Sequence, residues 1–152
     1  MVIECPHEIA SMNDRILLPY DGSDPAKEAL QYTIETFPES HLQVLYVVPE
    51  PEGYWMAFED DAAEPPGFDD ARERGQELVS EAAETASEHG LDVETEVARG
   101  QPEDVIVDRA EHEDIDTVVI GSHGREGFSR ILLGSVAETV VHRSSVPVVV
   151  VR

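Results

Sequence analysis

Two hydrophobic periods alternate along this chain. Short, nearly continuous apolar runs suit strands buried on both faces. They take turns with stretches whose apolar residues recur every three or four positions, the spacing of one helix face. The first run is Arg15 to Tyr20 (RILLPY), closed by Asp21-Gly22-Ser23. Ala26, Ala29, Leu30, Thr33, Ile34 and Phe37 then form a stripe that predicts a helix over Pro25 to Phe37. Ser23 or Asp24 can cap it, and Pro25 near its first position has no amide hydrogen to leave unpaired. Leu42 to Val48 (LQVLYVV) reads as a second buried strand, and Asp69 to His89 as a long helix. That helix turns Leu78, Val79, Ala82, Ala83 and Ala86 inward and stops at Gly90. Leu91 to Ala98 (LDVETEVA) alternates with period two, the mark of a strand with one wetter face, often an edge. Gly100-Gln101-Pro102 leads into a helix over Glu103 to His112, with Val105, Ile106, Val107 and Ala110 inward. Asp116 to Ile120 (DTVVI), a glycine-bearing loop, a helix ending at Arg143 and the run Val146 to Val151 complete the pattern.

Strict alternation of strand and helix implies one α/β domain with a doubly wound parallel sheet of five strands and helices on both faces. Two stretches stand outside the periodicity. Residues 1–12 read as a flexible extension, in which Met12 is an alternative start. Residues 49–70 carry Pro49, Pro51, Pro65, Pro66, Gly53 and Gly67 among acids, with Tyr54, Trp55 and Phe58. That is too long for an ordinary connection; it is an insertion, a solvated acidic loop, a lid or a partner surface.

In open sheets of this kind, ligands bind outside the carboxyl ends of the strands where the winding reverses. Two turns there look chemical: Asp21-Gly22-Ser23 after the first strand, and the loop Gly121 to Ser135 (GSHGREGFSRILLGS) after the fourth. For both to line one site, the first and fourth strands must be neighbours, which requires the order 3-2-1-4-5. A phospho-accepting receiver, ordered 2-1-3-4-5, would need an aspartate after strand three and a lysine after strand five. Here strand three runs into Arg99-Gly100 and the chain ends at Arg152.

Neither a Walker A motif nor the dinucleotide G-x-G-x-x-G occurs in the glycine loop. Gly121 and Gly124 are followed, after nine residues, by Gly134-Ser135. Glycines let backbone amides approach an anion. Ser135-Val136-Ala137-Glu138 has the form of a capping box, with Ser135 as N-cap and the helix's positive end facing the loop. Ser122 and His123 lie within the same loop; His123 also reads simply as a solvated loop residue. Asp21 is either a turn-forming aspartate or an acceptor for ribose hydroxyls, a base edge or a magnesium ion. Ile131, Leu132 and Leu133 are expected to pin the loop to the core.

Charge changes the picture in two ways. Ten basic residues, nine of them arginine, stand against 33 acidic ones, for a net charge of −23. Such a surface argues against nucleic acid or an anionic membrane as a general partner, and suits a fold adapted to high salt, a halophile's. Locally the sign reverses. Residues 121–152 hold Arg125, Arg130, Arg143 and Arg152 against Glu126 and Glu138, so positive charge gathers where an anion would bind. Arg125 is the candidate for direct contact, whereas Arg130 reads equally as a surface residue. The single cysteine, Cys5, excludes an intramolecular disulfide. No apolar run approaches a membrane span and no signal peptide is visible, so a cytoplasmic protein is expected. The six histidines show no metal spacing.

Together, ILLPYDGS at Ile16 to Ser23, the Gly100 to Pro102 turn, VVIGSHGR at Val118 to Arg125 and the closing LLGSVAETVVHRSSVPVVVVR resemble the universal stress protein family, in its nucleotide-binding branch. The likeness runs from Met12 to Arg152. Gly121, Gly124, Gly134 and Ser135 match that family's ATP-binding spacing without a gap. The resemblance implies one domain over residues 13–152, with Pro19, Tyr20, Asp21 and Val47 flanking adenosine. It implies phosphates on Gly124, Arg125, Gly134, Ser135 and Val136, and a homodimer through the last strand, Val146 to Val151; magnesium carried on the nucleotide belongs to the alternative reading of Asp21. An apolar edge without gatekeeping charge supports that last item. The function so implied is an ATP-responsive regulatory module in stress. No residue looks poised as a catalytic base. The alternatives are a slow ATPase or autokinase, with Ser122, Ser129 or Ser135 as acceptor, and a scaffold that binds a protein partner and no nucleotide.

Overall fold

A computed structural model describes residues 14–49, 67–122 and 134–152. The N-terminal extension, most of the 49–70 stretch and the loop core with His123, Gly124, Arg125, Arg130 and Ile131 to Leu133 lie outside the described residues. Elements follow in the order β1 (Arg15–Pro19), α1 (Asp24–Thr36), β2 (His41–Pro49), α2 (Phe68–Glu88), β3 (Asp92–Gly100), α3 (Pro102–His112), β4 (Thr117–Gly121), α4 (Ser135–Arg143) and β5 (Val148–Val151). The five strands pair in the order β3-β2-β1-β4-β5, all in parallel. The predicted architecture and strand order therefore hold.

Alternate residues of each strand feed two apolar layers, as the pleat requires. Ile16, Leu18, Leu42, Val44 and Val119 pack under α1 and α2 with Ala29, Leu30, Val79, Ala82 and Ala86. Leu17, Leu45, Val118 and Ile120 pack under α3 and α4 with Ile106, Val107, Ala110, Ala137 and Val140. Phe37, Leu78 and Val105 are only partly buried at the margins of these layers. β3 is an edge strand with exposed Asp92, Glu94 and Thr95, as its alternation implied. Its wet face is tied down by ions. Glu96 accepts from Arg109 Nη2 of α3 at 2.6 Å, and buried Gln43 of β2 donates to the same carboxylate at 3.2 Å.

Two expectations about the carboxyl-terminal third need correction. β5 starts at Val148 rather than Val146, because the Ser144 hydroxyl accepts from Val146 N and donates to Val146 O, folding the chain back there. Pro147 follows with no amide hydrogen to pair. Ser135 does not cap α4: Gly134 is the N-cap, in extended conformation, and its carbonyl already accepts from Glu138 N at 2.9 Å. Ser135 is thus the first helical residue and the capping box does not form. Among the described residues no helix is long and apolar enough to cross a membrane.

Candidate functional site

Strand order decides where a cavity can open. Helices α1 and α4 follow the adjacent strands β1 and β4 but cover opposite faces of the sheet, so a crevice is left at the carboxyl ends of those strands. It measures about 660 Å³ and extends to the end of β2, within the range of small-molecule sites. Pro19, Tyr20 and Asp21 line it from β1, Val47 from β2, Gly121 from β4, and Gly134, Ser135 and Val136 from the start of α4. Eight of the residues proposed from sequence thus share one cavity. Gly22, Ser23 and Ser122 stand behind this wall rather than in it.

Those three hold the wall in place. The Ser23 hydroxyl accepts from Ala26 N at 3.3 Å, capping α1, and donates to Asp21 Oδ1 at 2.6 Å. Ser23 N also donates to Asp21 Oδ1 at 3.0 Å, so the carboxylate is oriented by an Asx turn. Gly22 permits that turn at φ +79°. Buried Ser122 donates its amide to Val151 O at 2.9 Å and accepts from Gly134 N at 3.4 Å, linking the two ends of the glycine loop. Gly121 is needed for a reason the sequence did not suggest. A Cβ there would lie 2.5 Å from the Pro25 carbonyl carbon and 2.9 Å from Ala26 N, so it lets β4 abut the first turn of α1.

Three helix starts meet the cavity, through Ala26 of α1, Pro102 of α3 and Ser135 of α4. Proline occupies the first or second position of α1 and of α3 and withholds a donor there. α4 has no proline in its first turn and, among the described residues, no side-chain cap for its leading amides, with the positive end of the helix behind them. The rest of the described wall is largely apolar, including Leu45, Ile106 and Ile120. Asp21 is the one charged side chain among the described lining residues. Burial, then the charges of Glu81 and Asp21, raise the Tyr20 phenol above its usual range, so it stays protonated and neutral at physiological pH.

The charge argument from sequence is weakened here. Arg143 does not line the cavity; its guanidinium donates to Asp104 in the first turn of α3 at 2.5 Å. Among the described residues no group of three or more His, Cys, Asp or Glu could hold a metal. The sequence also passed over Tyr46, Pro49, Pro102 and Ile106, which line the cavity. Once strand order puts β2 beside β1, the carboxyl end of β2 belongs to the crevice, and that signal could have found Tyr46 and Pro49.

Comparison with known proteins identifies the family and the fold. A profile described as the universal stress protein family matches residues 12–152. Universal stress protein MJ0531 of Methanocaldococcus jannaschii is 35% identical, over 91% of this chain and 81% of its own. The solved structure of protein MJ0577 from the same organism has a TM-score of 0.76 at 30% identity, covering 92% of this chain and 96% of that one. An Arabidopsis thaliana member, solved with AMP bound, shares the fold at 21% identity, with a TM-score of 0.65 and coverage of 91% and 90%. With a match over nearly its whole length and the family's strand order, the chain belongs to the universal stress protein family.

Proposed function

We propose that the cavity binds an adenine nucleotide, ATP in the first instance, and that the protein acts as a nucleotide-responsive module in the cell's response to stress. The observation that carries this is the pairing of a mostly apolar crevice with the uncapped start of α4 at the β1/β4 crossover. AMP held by a family member of the same fold adds support. In this arrangement the apolar wall of Val47, Leu45, Ile106 and Ile120 takes the base. Asp21, already oriented by Ser23, accepts from ribose hydroxyls. Ser135 and Val136 offer amides to the phosphates over the bare backbone of Gly134, whose own amide turns to Ser122, with Gly124 and Arg125 of the glycine loop assigned to the same task. Magnesium, when present, arrives on the phosphates, and Asp21 meets it only in the alternative to its ribose contact. No residue is assigned to hydrolysis.

The edge of β5 suggests that the module is a homodimer. Pro147 O and Val151 O face β4, so by alternation Val148 and Val150 turn their backbone groups to the open side. The single cysteine of the chain fits a reducing, cytoplasmic setting.

Equilibrium dialysis against ATP, in buffer with potassium chloride, tests the reading. Binding at micromolar strength corresponds to about −8 kcal/mol. Gly134→Val is expected to abolish it by blocking backbone approach. Gly134 has φ −64°, which valine also adopts, so the fold should survive. Wild-type affinity in Gly134→Val would refute the cradle.

A further inference from the structure

Two successive turns of α2 press on residues in the cavity wall or directly behind it. The ring of Tyr46, a lining residue, lies on the bare backbone of Gly75; a Cβ at Gly75 would fall 2.9 Å from Tyr46 Cε2. One turn on, Leu78 closes over Gly22; a Cβ at Gly22 would fall 2.6 Å from Leu78 Cδ2. Gly22 sits between Asp21, which lines the cavity, and Ser23, which orients Asp21 and caps α1. One turn further, the charge of Glu81 reaches the phenol of lining Tyr20. Positions 75 and 78 are three apart, so the two contacts come from neighbouring sites on one face of one rigid element. The opposite face of α2 presents Arg72, Glu73, Glu77, Ser80 and Glu84 to solvent.

Neither glycine contact leaves slack. A Leu78 side chain that retreats uncovers Gly22 and frees the Asp21 turn to move; a Tyr46 ring that lifts from Gly75 loosens the carboxyl end of β2, whose Val47 lines the cavity. Close-packed interfaces tend to be seated or unseated rather than continuously deformed. We propose that occupancy of the cavity and the seating of α2 on the sheet are coupled through Gly75 and Leu78, so that α2 reports the bound state on its solvent-facing side. The inference rests on the nucleotide reading above. By linkage the effect is reciprocal: whatever holds α2 down tightens the cavity's grip on its ligand.

Hydrogen exchange of the full chain, followed by mass spectrometry with and without ATP, tests it, with dialysis run on the same samples. At ATP a hundredfold above its dissociation constant, amides from Gly75 to Ala82 should exchange about 100-fold more slowly. Leu78→Ala should keep the fold, weaken binding and cut that slowing to about threefold or less, while the first turn of α1 stays protected by ligand. Leu78→Met should restore the α2 response, also covering the case in which the alanine variant fails to fold. Val107→Ala, buried in the other layer and outside the cavity wall, should lower stability yet leave the response intact. Unchanged exchange in α2 with ATP demonstrably bound, or a full response in Leu78→Ala, overturns the coupling. Absence of ATP binding by dialysis overturns the nucleotide reading itself, and this inference with it.

Discussion

Three glycines separate steric from conformational demands, and alanine at each gives a graded test. At Gly121 the new methyl would meet the Pro25 carbonyl oxygen, with the carbonyl carbon at 2.5 Å and Ala26 N at 2.9 Å. Ordinary carbon contacts sit near 3.5 to 4.0 Å, so roughly 1 Å of overlap must be relieved. The obstacles are backbone, and both sides are fixed. The start of α1 is held by the Ser23 cap and by Lys27 N donating to Ser23 O at 3.0 Å. The end of β4 is held by Ser122 N donating to Val151 O at 2.9 Å. Overpacking usually costs about 1 to 3 kcal/mol, and this site belongs at or above the top of that range. For a chain of this length about 3 kcal/mol lowers Tm by about 6 to 12 °C. At Gly75 the obstacle is the edge of the Tyr46 ring down to Cγ at 3.0 Å, but alanine regains about 1 kcal/mol of helix propensity. The net loss there should be about 0 to 2 kcal/mol, less than at Gly121. Gly90 has open space around it but φ +89°, which costs alanine about 1 kcal/mol. Urea unfolding at fixed potassium chloride, followed by circular dichroism, reads all three. A Gly121→Ala loss within about 0.5 kcal/mol of zero, the usual surface effect, would refute the packing argument.

Further outcomes follow from groups elsewhere in the fold. Burial, and then the charge of Asp116, hold the Asp14 carboxyl above its ordinary 3.8, so the folded state binds that proton more tightly than the unfolded one. Its favourable contribution is complete below pH 3.8 and is lost as pH rises through the folded value. Asp14→Asn should therefore raise Tm at pH 7 and lose that advantage below pH 3.8; an unchanged or lower Tm at pH 7 counts against it. Val150→Pro removes a donor from the open side of β5 and should convert a dimer to a monomer in light scattering. A wild-type monomer at tens of micromolar would remove the dimer altogether. With a net charge of −23, self-repulsion should make Tm rise between 0.1 and 2 M potassium chloride, where the Debye length falls from about 10 Å to under about 3 Å. Equal melts at both salts would sink the idea of a high-salt fold.

Backbone-level organisation was legible in the sequence because it is dictated by period. Runs such as LLP and TVVI have no polar face to show, so they belong in the middle of a sheet, whereas LDVETEVA declares an edge. The order 3-2-1-4-5 followed from the chemistry of two turns that had to meet. What period cannot reveal is which atoms lie behind which. Tyr46 reads from sequence as one more strand residue; its ring matters because Gly75, 29 positions on, offers bare backbone beneath it. Gly121 belongs to an evident glycine motif, yet its missing side chain is spent against α1 as well as beside the cavity.

Ser135 makes the same point at the scale of one residue, with a functional consequence. S-x-x-E is a sound signature for a cap, but the extended residue before it, Gly134, has already given its carbonyl to Glu138 N. Had serine been the cap, its hydroxyl would have satisfied one of the leading amides and competed with an incoming phosphate. With glycine there instead, no cap side chain and none among the described residues answers those amides, and the helix end is left able to bind an anion. The failed capping box therefore strengthens the case for the site. A residue that stabilises the helix less leaves more hydrogen-bonding capacity for a ligand, so Gly134→Ser should raise Tm while weakening ATP binding. Parallel gains in both would show that capping and binding do not compete.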